Sequence, residues 1–211
     1  MTPYRIVIAI SLCACALLAG AAQAQVATPA DPLSDLSTRL ESTHTIHVGF
    51  RQTKHLAALR QPLQSEGRIV FVRGEGVLWI VSKPYQASYA LAGDAVTETG
   101  PDGRRRMREA HEAPALANIG RVFESIFSGK LDQLDTYFDV RVHGTPANWQ
   151  LDLTPREAIS PFLESIRASG GTFVERININ ESRGDLTEIE FSAPTLDAPL
   201  SDEDTHLLRQ R

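Results

Sequence analysis

One stretch decides the fold: residues 67–84, which read Gly-Arg-Ile-Val-Phe-Val-Arg-Gly-Glu-Gly-Val-Leu-Trp-Ile-Val-Ser-Lys-Pro. Two runs rich in β-branched and aromatic residues flank a turn that contains Gly74 and Gly76, which is typical of a β-hairpin. Both runs carry apolar side chains on both faces, whereas a hairpin with one face in water would alternate apolar and polar residues. We therefore expect apolar material on each side of this hairpin, which favours a protein that holds an apolar cargo.

The N-terminus has the pattern of a secretory signal peptide over residues 1–24. Arg5 supplies the positive charge, and residues 6–21 form an apolar run that is short for a membrane span. The motif Ala-Gln-Ala at residues 22–24 matches a cleavage site. We expect cleavage after this motif and export. An uncleaved anchor is the alternative, and a lipoprotein signal is disfavoured because both cysteines lie early, inside the apolar run.

Composition indicates one exported domain without cysteine chemistry. Cleavage leaves 187 residues, enough for a domain with its own core. It also removes both cysteines, which excludes disulfides, thiolate nucleophiles and cysteine-zinc sites from the mature chain. The formal net charge of −5 disfavours nucleic acid or anionic headgroups as the main partner. The arginine-rich run at residues 104–108 is interpreted as a solvated strand or turn rather than a specific anion site.

Periodicity predicts about ten strands and a few helices with local connections, an α+β arrangement. The helices are predicted at residues 34–41, 114–127 and 155–168. The strands are predicted at residues 45–54, within 67–84, and at 85–91, 95–99, 105–110, 137–142, 148–153, 173–179 and 186–191. We expect an incomplete antiparallel β-barrel, a curved sheet whose concave apolar face is covered by helices.

We expect four regions along the chain. They are the signal peptide at 1–24, a flexible spacer at 25–33, one domain at 34–193, and a loose C-terminal tail at 194–211 that is rich in Pro and Asp.

Residue types that carry chemistry form no convincing constellation. His44, His47 and His55 are close in sequence, but His44 and His47 would point to opposite faces of an extended strand. Glu188 and Glu190 share one strand face and are interpreted as a solvated edge rather than a catalytic pair. No nucleophile elbow or phosphate-binding glycine loop is present in the sequence. We therefore predict no catalytic residue, no metal site and no cofactor.

Six short motifs follow one another between residues 36 and 103. They are Leu36…Leu40, Phe50-x-Gln52-x-Lys54, Glu66-Gly67, Leu78-Trp79, Lys83-Pro84 and Asp102-Gly103. In this order they resemble a divergent member of the periplasmic outer-membrane lipoprotein carrier family, LolA. The resemblance implies an incomplete antiparallel barrel with helices as a lid over an apolar cavity. It also implies a carrier in a Gram-negative periplasm that takes acylated lipoproteins from an inner-membrane release complex to an outer-membrane receptor; we expect a monomer.

The resemblance also assigns a latch position. In that family an arginine before a strand-opening proline latches the lid by hydrogen bonds, and the matching residue here is Lys83. A lysine would latch more weakly because its flexible ammonium replaces a rigid fork of donors. An ordinary exposed strand-end lysine is the alternative. Arginines follow Asp102-Gly103 here, where that family has an aromatic strand. The pattern Leu59…Pro62-Leu63…Ser65-x-Gly67 resembles divergent members associated with lipid or pigment biosynthesis, which implies either a lipoprotein or another lipid, glycolipid or polyene as cargo.

We therefore predict a carrier rather than an enzyme, which binds acyl chains in an apolar cavity and ferries them toward the outer membrane. The candidate cavity residues are apolar and lie on predicted strands or on the helix at 114–127: Phe50, Ile69, Phe71, Val77, Trp79, Leu116, Phe123 and Phe127. A non-transport, lipid- or lipoprotein-sensing domain of the cell envelope is the alternative. A periplasmic hydrolase is a third hypothesis, which lacks a recognisable nucleophile–base pair.

Overall fold

The computed structural model describes residues 32–93, 95–109, 111–112, 114–145 and 147–209. The predicted signal peptide and most of the predicted spacer lie outside these residues. The helices are α1 (Pro32–Glu41), α2 (Pro114–Ser128), α3 (Asp202–Arg209) and a 3-10 helix (Leu131–Thr136). The strands are β1 (Thr45–His55), β2 (Leu63–Val72), β3 (Gly76–Lys83), β4 (Ala87–Ala92), β5 (Ala95–Thr99), β6 (Arg105–Glu109), β7 (Phe138–Thr145), β8 (Asn148–Pro155), β9 (Leu163–Gly170), β10 (Val174–Glu181) and β11 (Leu186–Leu196). None of the described helices is long and apolar enough to cross a bilayer.

The eleven strands form one antiparallel sheet in the order β6-β5-β4-β3-β2-β1-β11-β10-β9-β8-β7. Strands that are adjacent in the sheet are consecutive in the chain, except at the centre, where β1 pairs with β11. The sheet therefore consists of two meanders, β1–β6 and β7–β11, joined along the β1–β11 seam. It does not close, because β6 and β7 lie at its two ends. The predicted large antiparallel sheet with few helices is confirmed, and its open form is consistent with an incomplete barrel.

The inner face of the sheet is the face against which α2 packs. In β1 it carries Ile46, Val48 and Phe50, all of them buried. These side chains join those of α2 and of the other strands in one continuous apolar core. The period of two in the sequence of β1 therefore predicted its buried face correctly.

The outer face of the sheet carries a row of charges across five strands. Lys83 of β3 pairs with Glu66 of β2 at 2.6 Å, and Glu66 lies opposite Arg51 of β1. Arg51 in turn lies opposite Glu190 of β11, which pairs with Arg176 of β10 at 3.0 Å. We call these five residues the charge row. Its signs alternate from strand to strand, which stabilises a sheet because opposite charges face each other directly.

The hairpin of residues 67–84 is apolar on both faces, as its sequence predicts. Ile69 and Trp79 lie on the inner face, whereas Val70 and Leu78 lie on the outer face, and all four are buried. Leu208 of α3 packs against the outer pair. The second apolar face of the hairpin is therefore covered by the protein's own C-terminal helix rather than by a cargo.

The tail predicted to be loose from residue 194 is ordered secondary structure over much of its length, since β11 continues to Leu196 and α3 begins at Asp202. Arg68 Nη2 donates a hydrogen bond to Asp204 Oδ1 of α3 at 2.7 Å. Burial by itself would raise the pKa of Asp204, but hydrogen bonds with Arg68 and Ser201 outweigh burial and hold that pKa below its usual value. The polar composition of the tail hid this helix because one buried leucine is enough to dock it.

The helix predicted at residues 155–168 is wrong. Residues 156–162 contain turns, and β9 follows. Ile166 and Ala168 are buried on the inner face with the period of two of a strand. Pro161 also opposes a continuous helix, because it lacks an N–H and clashes with the preceding turn. Gly171 lies in the β9–β10 turn, where its carbonyl accepts a hydrogen bond from Trp149 Nε1 at 2.8 Å.

Candidate functional site

Three aromatic rings meet where α2 crosses the β2–β3 hairpin. Trp79 of β3 makes edge-to-face contacts with Phe50 of β1 and with Phe123 of α2, with ring centroids 4.9 and 5.2 Å apart. Such pairs contribute about 0.5–1.5 kcal/mol each beyond the area that they bury. Directional ring contacts therefore hold α2 on the sheet in addition to its buried apolar area.

Phe127, one turn further along α2, connects the helix to the second meander. Its ring stacks on Phe173 at 5.8 Å and contacts Phe191 of β11 at 6.1 Å and Phe71 of β2 at 6.2 Å. Phe123 contacts Phe191 as well, at 6.1 Å. Because α2 contacts both meanders, it bridges the β1–β11 seam. We call the seven rings the aromatic cluster: Phe50, Phe71, Trp79, Phe123, Phe127, Phe173 and Phe191.

The structure brings seven of the eight predicted cavity residues together, and all seven side chains are buried. Seven of the eight belong to one core cluster, and none of these seven is more than 8% exposed: Phe50, Ile69, Phe71, Val77, Trp79, Phe123 and Phe127. The eighth, Leu116, lies on α2, and its side chain is outside the described part of the molecule. The site expected to receive a cargo is thus filled by the phenylalanines of α2.

Three pockets of the described molecule open at the surface around this cluster. One of about 770 Å³ opens on the outer face beside the charge row, and one of about 490 Å³ lies on the outer face of β7–β11. A third, of about 290 Å³, lies between α2, the 3-10 helix and β7. Of the predicted cavity residues, only Phe50 contributes to any of the three. Phe123 and Phe127 of α2 pack directly on the other rings of the aromatic cluster.

Arg73, in the turn between β2 and β3, ties two helices to the sheet. Its Nε donates a hydrogen bond to the carbonyl of Thr43 at 2.9 Å. Its Nη2 donates to the carbonyl of Leu40 at 2.5 Å and to that of Ser128 at 3.2 Å. Leu40 and Ser128 lie at the C-terminal ends of α1 and α2, where carbonyls lack partners within the helix and the helix dipole favours a cation. Sequence reasoning gave Arg73 no role, because only the tertiary fold brings these carbonyls to one guanidinium.

A second polar contact joins α1 to the end of α2. Ser37 Oγ donates a hydrogen bond to the carbonyl of Gly129. Gly129 has a φ of +77°, and a Cβ at this position would lie 2.6 Å from the carbonyl oxygen of Ser37, so glycine is required. At the other half of α2, a Cβ on Gly120 would lie 3.2 Å from Leu91 Cδ1, which is an apolar contact. The hydrogen bonds from Arg73 and Ser37 therefore hold the C-terminal end of α2.

Lys83, the predicted latch position, lies in an ion pair between two strands. Its ammonium is 2.6 Å from Glu66 Oε1, and its side chain is 74% exposed. The hydrogen bond and the charge of Lys83 hold the pKa of Glu66 below its usual value. This pair connects β3 to β2 and involves no helix, in contrast to the hydrogen bonds of Arg73.

The remaining candidate side chains are distributed over separate contacts. His55 pairs with Glu188 at 3.4 Å, while Glu190 pairs with Arg176. Glu188 and Glu190 thus belong to two different ion pairs rather than to one carboxylate pair. Among the residues that the structure describes, no three His, Cys, Asp or Glu side chains are grouped so that they could hold a metal ion.

Phe173 and Phe191 are the cluster members that sequence reasoning missed. Phe191 shares the inner face of β11 with Ile189, two residues earlier, so the period of two could have indicated it. Phe173 lies in the β9–β10 turn region, where the wrong helix prediction for residues 155–168 concealed the strand order.

Together, the fold and the site define an α+β protein with a large open antiparallel sheet, few helices and one core that the sheet shares with α2. The family model described as outer membrane lipoprotein carrier protein LolA-like matches residues 19–188. The chain belongs to this LolA-like family, which confirms the resemblance seen in its motifs.

Solved structures with a similar fold are distant in sequence. A DUF1329 family protein from Desulfovibrio piger is 11% identical, with a TM-score of 0.45, over 85% of this chain and 100% of that one. A LolA superfamily protein from Nitrosomonas europaea is 9% identical, with a TM-score of 0.46, over 84% and 97%. LprF from Mycobacterium bovis is 13% identical, with a TM-score of 0.41, over 81% and 93%. The search of curated proteins found no match.

Proposed function

We propose that this protein is a periplasmic carrier that binds the acyl chains of lipoproteins, or of another lipid, beneath α2 and takes them toward the outer membrane. Membership of the LolA-like family supports a binding role. The observation that carries the proposal is the aromatic cluster, in which α2 inserts Phe123 and Phe127 into the apolar inner face. The hydrogen bonds from Arg73 and Ser37 lie at the C-terminal end of α2, whereas Phe123 and Phe127 hold the helix to the sheet by apolar contacts that an acyl chain can replace.

Replacing the buried side chains of α2 by an acyl chain changes the free energy of burial little. Among the described side chains of α2, four apolar ones are buried: Val122, Phe123, Ile126 and Phe127. At about 1.5–3 kcal/mol each, their burial contributes about 6–12 kcal/mol. An acyl chain contributes about 0.8 kcal/mol per buried methylene, so about 8–15 methylenes compensate for lifting the helix. An acyl chain that is bound with so small a net free energy can pass to a receptor with a better apolar site without an energy source at that step.

In this proposal α2 opens from its first half and stays attached near Ser128. Arg73 and the Ser37–Gly129 contact hold the fixed end. Arg73, rather than Lys83, is the residue that restrains the lid. The opened site is lined by the predicted cavity residues, including Leu116, and also by Phe173 and Phe191.

The two tryptophans allow a direct test. Trp79 belongs to the aromatic cluster, whereas Trp149 lies on β8 in the other meander. A Trp149→Phe variant emits from Trp79 alone, and a Trp79→Phe variant emits from Trp149 alone. A fatty acid brominated along its chain should quench Trp79 strongly and Trp149 weakly, because bromine quenches only on close approach. Equal quenching of the two, or none, would overturn binding beneath α2.

A charged substitution tests the same site by a second route. Phe123→Glu should abolish the quenching of Trp79, because an ionised carboxylate is costly to bury. Phe162→Glu is the matched control, since Phe162 is 50% exposed and lies outside the aromatic cluster. Circular dichroism shows whether both variants keep their fold. Unchanged quenching in folded Phe123→Glu would refute the assignment of this residue to the site.

Transport is tested separately from binding. Protein loaded with the brominated fatty acid is mixed with acceptor vesicles, and recovery of Trp79 fluorescence reports release. A carrier should release its cargo within the mixing experiment. Retention of the cargo with intact binding would favour the sensing alternative over the carrier.

A further inference from the structure

β6 is an end strand of the sheet, and its hydrogen-bond pattern determines which of its backbone groups point away from β5. It pairs with β5, and no described strand pairs with its other side. At the turn, the N–H of Gly100 donates to the carbonyl of Arg104 at 3.0 Å, which makes these two a hydrogen-bonded pair. Since such pairs alternate along antiparallel strands, Arg106 and Arg108 exchange hydrogen bonds with β5. The N–H and C=O of Met107 therefore point away from the sheet.

A neighbouring hydrogen bond supports this direction. The alternation also turns the N–H of Glu109 outward, and Glu112 Oε2 accepts a hydrogen bond from it at 3.1 Å. This bond caps the C-terminal end of the outward edge. Met107 precedes the cap, and its side chain is 62% exposed. The edge therefore presents the N–H and C=O of Met107, at the centre of β6, to an incoming strand.

The arginine-rich run of the edge is positive, and acidic residues lie before and after it at Asp102, Glu109 and Glu112. Residues 104–108 contain four arginines and no acidic residue. Arg106 and Arg108 share a strand face. The carboxylate of Glu98 lies near both, since Glu98 is opposite Arg106 and is 3.9 Å from Arg108. Positive charge on an edge strand opposes pairing with a second copy of the same edge. It favours an acidic strand, because opposite charges directly across a strand pair are attractive.

We infer that the outer edge of β6 docks an extended acidic segment of a partner protein by adding it as a strand. The segment places an apolar residue opposite Met107 and acidic residues opposite Arg106 and Arg108. Binding through so short an edge is weak, transient and dependent on charge. Such binding is typical of a partner that associates and dissociates rapidly. This inference is independent of the proposed lipid site, which lies on the inner face of the sheet beneath α2.

The test uses the ¹⁵N-labelled full chain and the peptide acetyl-Gly-Glu-Leu-Glu-Gly-amide. The Met107 amide should shift on titration, and its hydrogen exchange should slow by about 10-fold at saturation, since it gains a hydrogen bond. High salt should reverse the effect, because the screening length falls to about 3 Å at 1 M. The matched peptide with lysines in place of both glutamates should leave the spectrum unchanged.

Two kinds of variant separate edge pairing from charge. Met107→Pro removes only the outward N–H and should fold normally while losing the peptide, whereas Met107→Ala should retain it. The Arg106→Glu, Arg108→Glu double variant should also lose the peptide. Binding of the lysine peptide, retention by Met107→Pro, or unfolding of Met107→Pro would each overturn the inference. Shifts of β6 amides with phosphatidylglycerol vesicles but not with the acidic peptide would overturn it in favour of a membrane surface.

Discussion

Replacement of Arg73 by methionine should loosen α1 and α2 while it leaves the β2–β3 turn in place. Methionine keeps an unbranched apolar stem near Phe71, whose ring centroid is 5.9 Å from the guanidinium carbon. It donates nothing to the carbonyls of Leu40, Thr43 and Ser128. Hydrogen bonds from charged donors contribute about 1.5–3 kcal/mol each, but water can partly replace them at a half-buried site. At about 1 kcal/mol per bond, the free energy of unfolding should fall by about 3 kcal/mol.

Two measurements distinguish global from local loosening. Urea unfolding followed by tryptophan fluorescence should give a lower midpoint with an unchanged slope. Hydrogen exchange of α2 amides should accelerate by about 5-fold if the helix opens locally, because one of the three hydrogen bonds holds α2 and about 1.4 kcal/mol corresponds to a factor of ten. Arg73→Lys should lie between the two proteins, because an ammonium can reach fewer of the carbonyls. Arg104→Met is the control: Arg104 is 90% exposed, and its loss should change stability by less than about 0.5 kcal/mol.

One result would refute this reasoning about Arg73. If Arg73→Met unfolds at the same urea concentration as the parent, and α2 exchanges at the same rate, the helices are held by apolar contacts alone. The fixed end assigned to α2 would then be wrong, and with it the direction in which the lid opens.

Three further outcomes are expected. Gly120→Val should lift the first half of α2 off Leu91, which speeds α2 exchange and increases quenching of Trp79 by the brominated chain; Gly120→Ala should not, because only the flexible end of Leu91 must yield. Leu208→Ala should lower the free energy of unfolding by about 2–4 kcal/mol, measured in urea against the half-exposed control Leu196→Ala. The pKa of Asp204 is depressed in the folded protein, so its contribution to stability is full above the unfolded pKa of about 3.9 and is lost as the pH falls through the folded pKa. Asp204→Asn should remove that part of the acid dependence of thermal unfolding, and an unchanged acid profile would contradict the role of the carboxylate.

Local periodicity was enough to predict the central parts of the fold. The hairpin of residues 67–84 and the helix at 114–127 followed from repeats of two and of about 3.6 residues, which survive in any tertiary context. Seven candidate cavity residues consequently fall in one buried cluster. The motifs around these elements were also enough to predict the LolA-like family.

The remaining features depend on tertiary contacts that no local pattern encodes. Ile166 and Ala168 were assigned to a helix because a short apolar run fits either period, and the sheet selects the strand. The docking of α3 follows from the exposed apolar face that Val70 and Leu78 would otherwise present. Arg73 connects α1 and α2 only because the C-terminal ends of both helices lie at the β2–β3 turn.

The β1–β11 seam has a consequence for the order of folding. β1, the first strand of the described sheet, has its second neighbour in β11, the last, with Phe50 opposite Phe191. Each meander can form from local hairpins, but the seam requires contacts between residues far apart in the chain, which form slowly. The aromatic cluster draws its rings from both meanders and from α2, so it is complete only after the seam has closed. A nascent chain that ends before β11 would therefore expose one edge of β1 and half of an apolar face, and the protein should become aggregation-resistant only once its last strand is available.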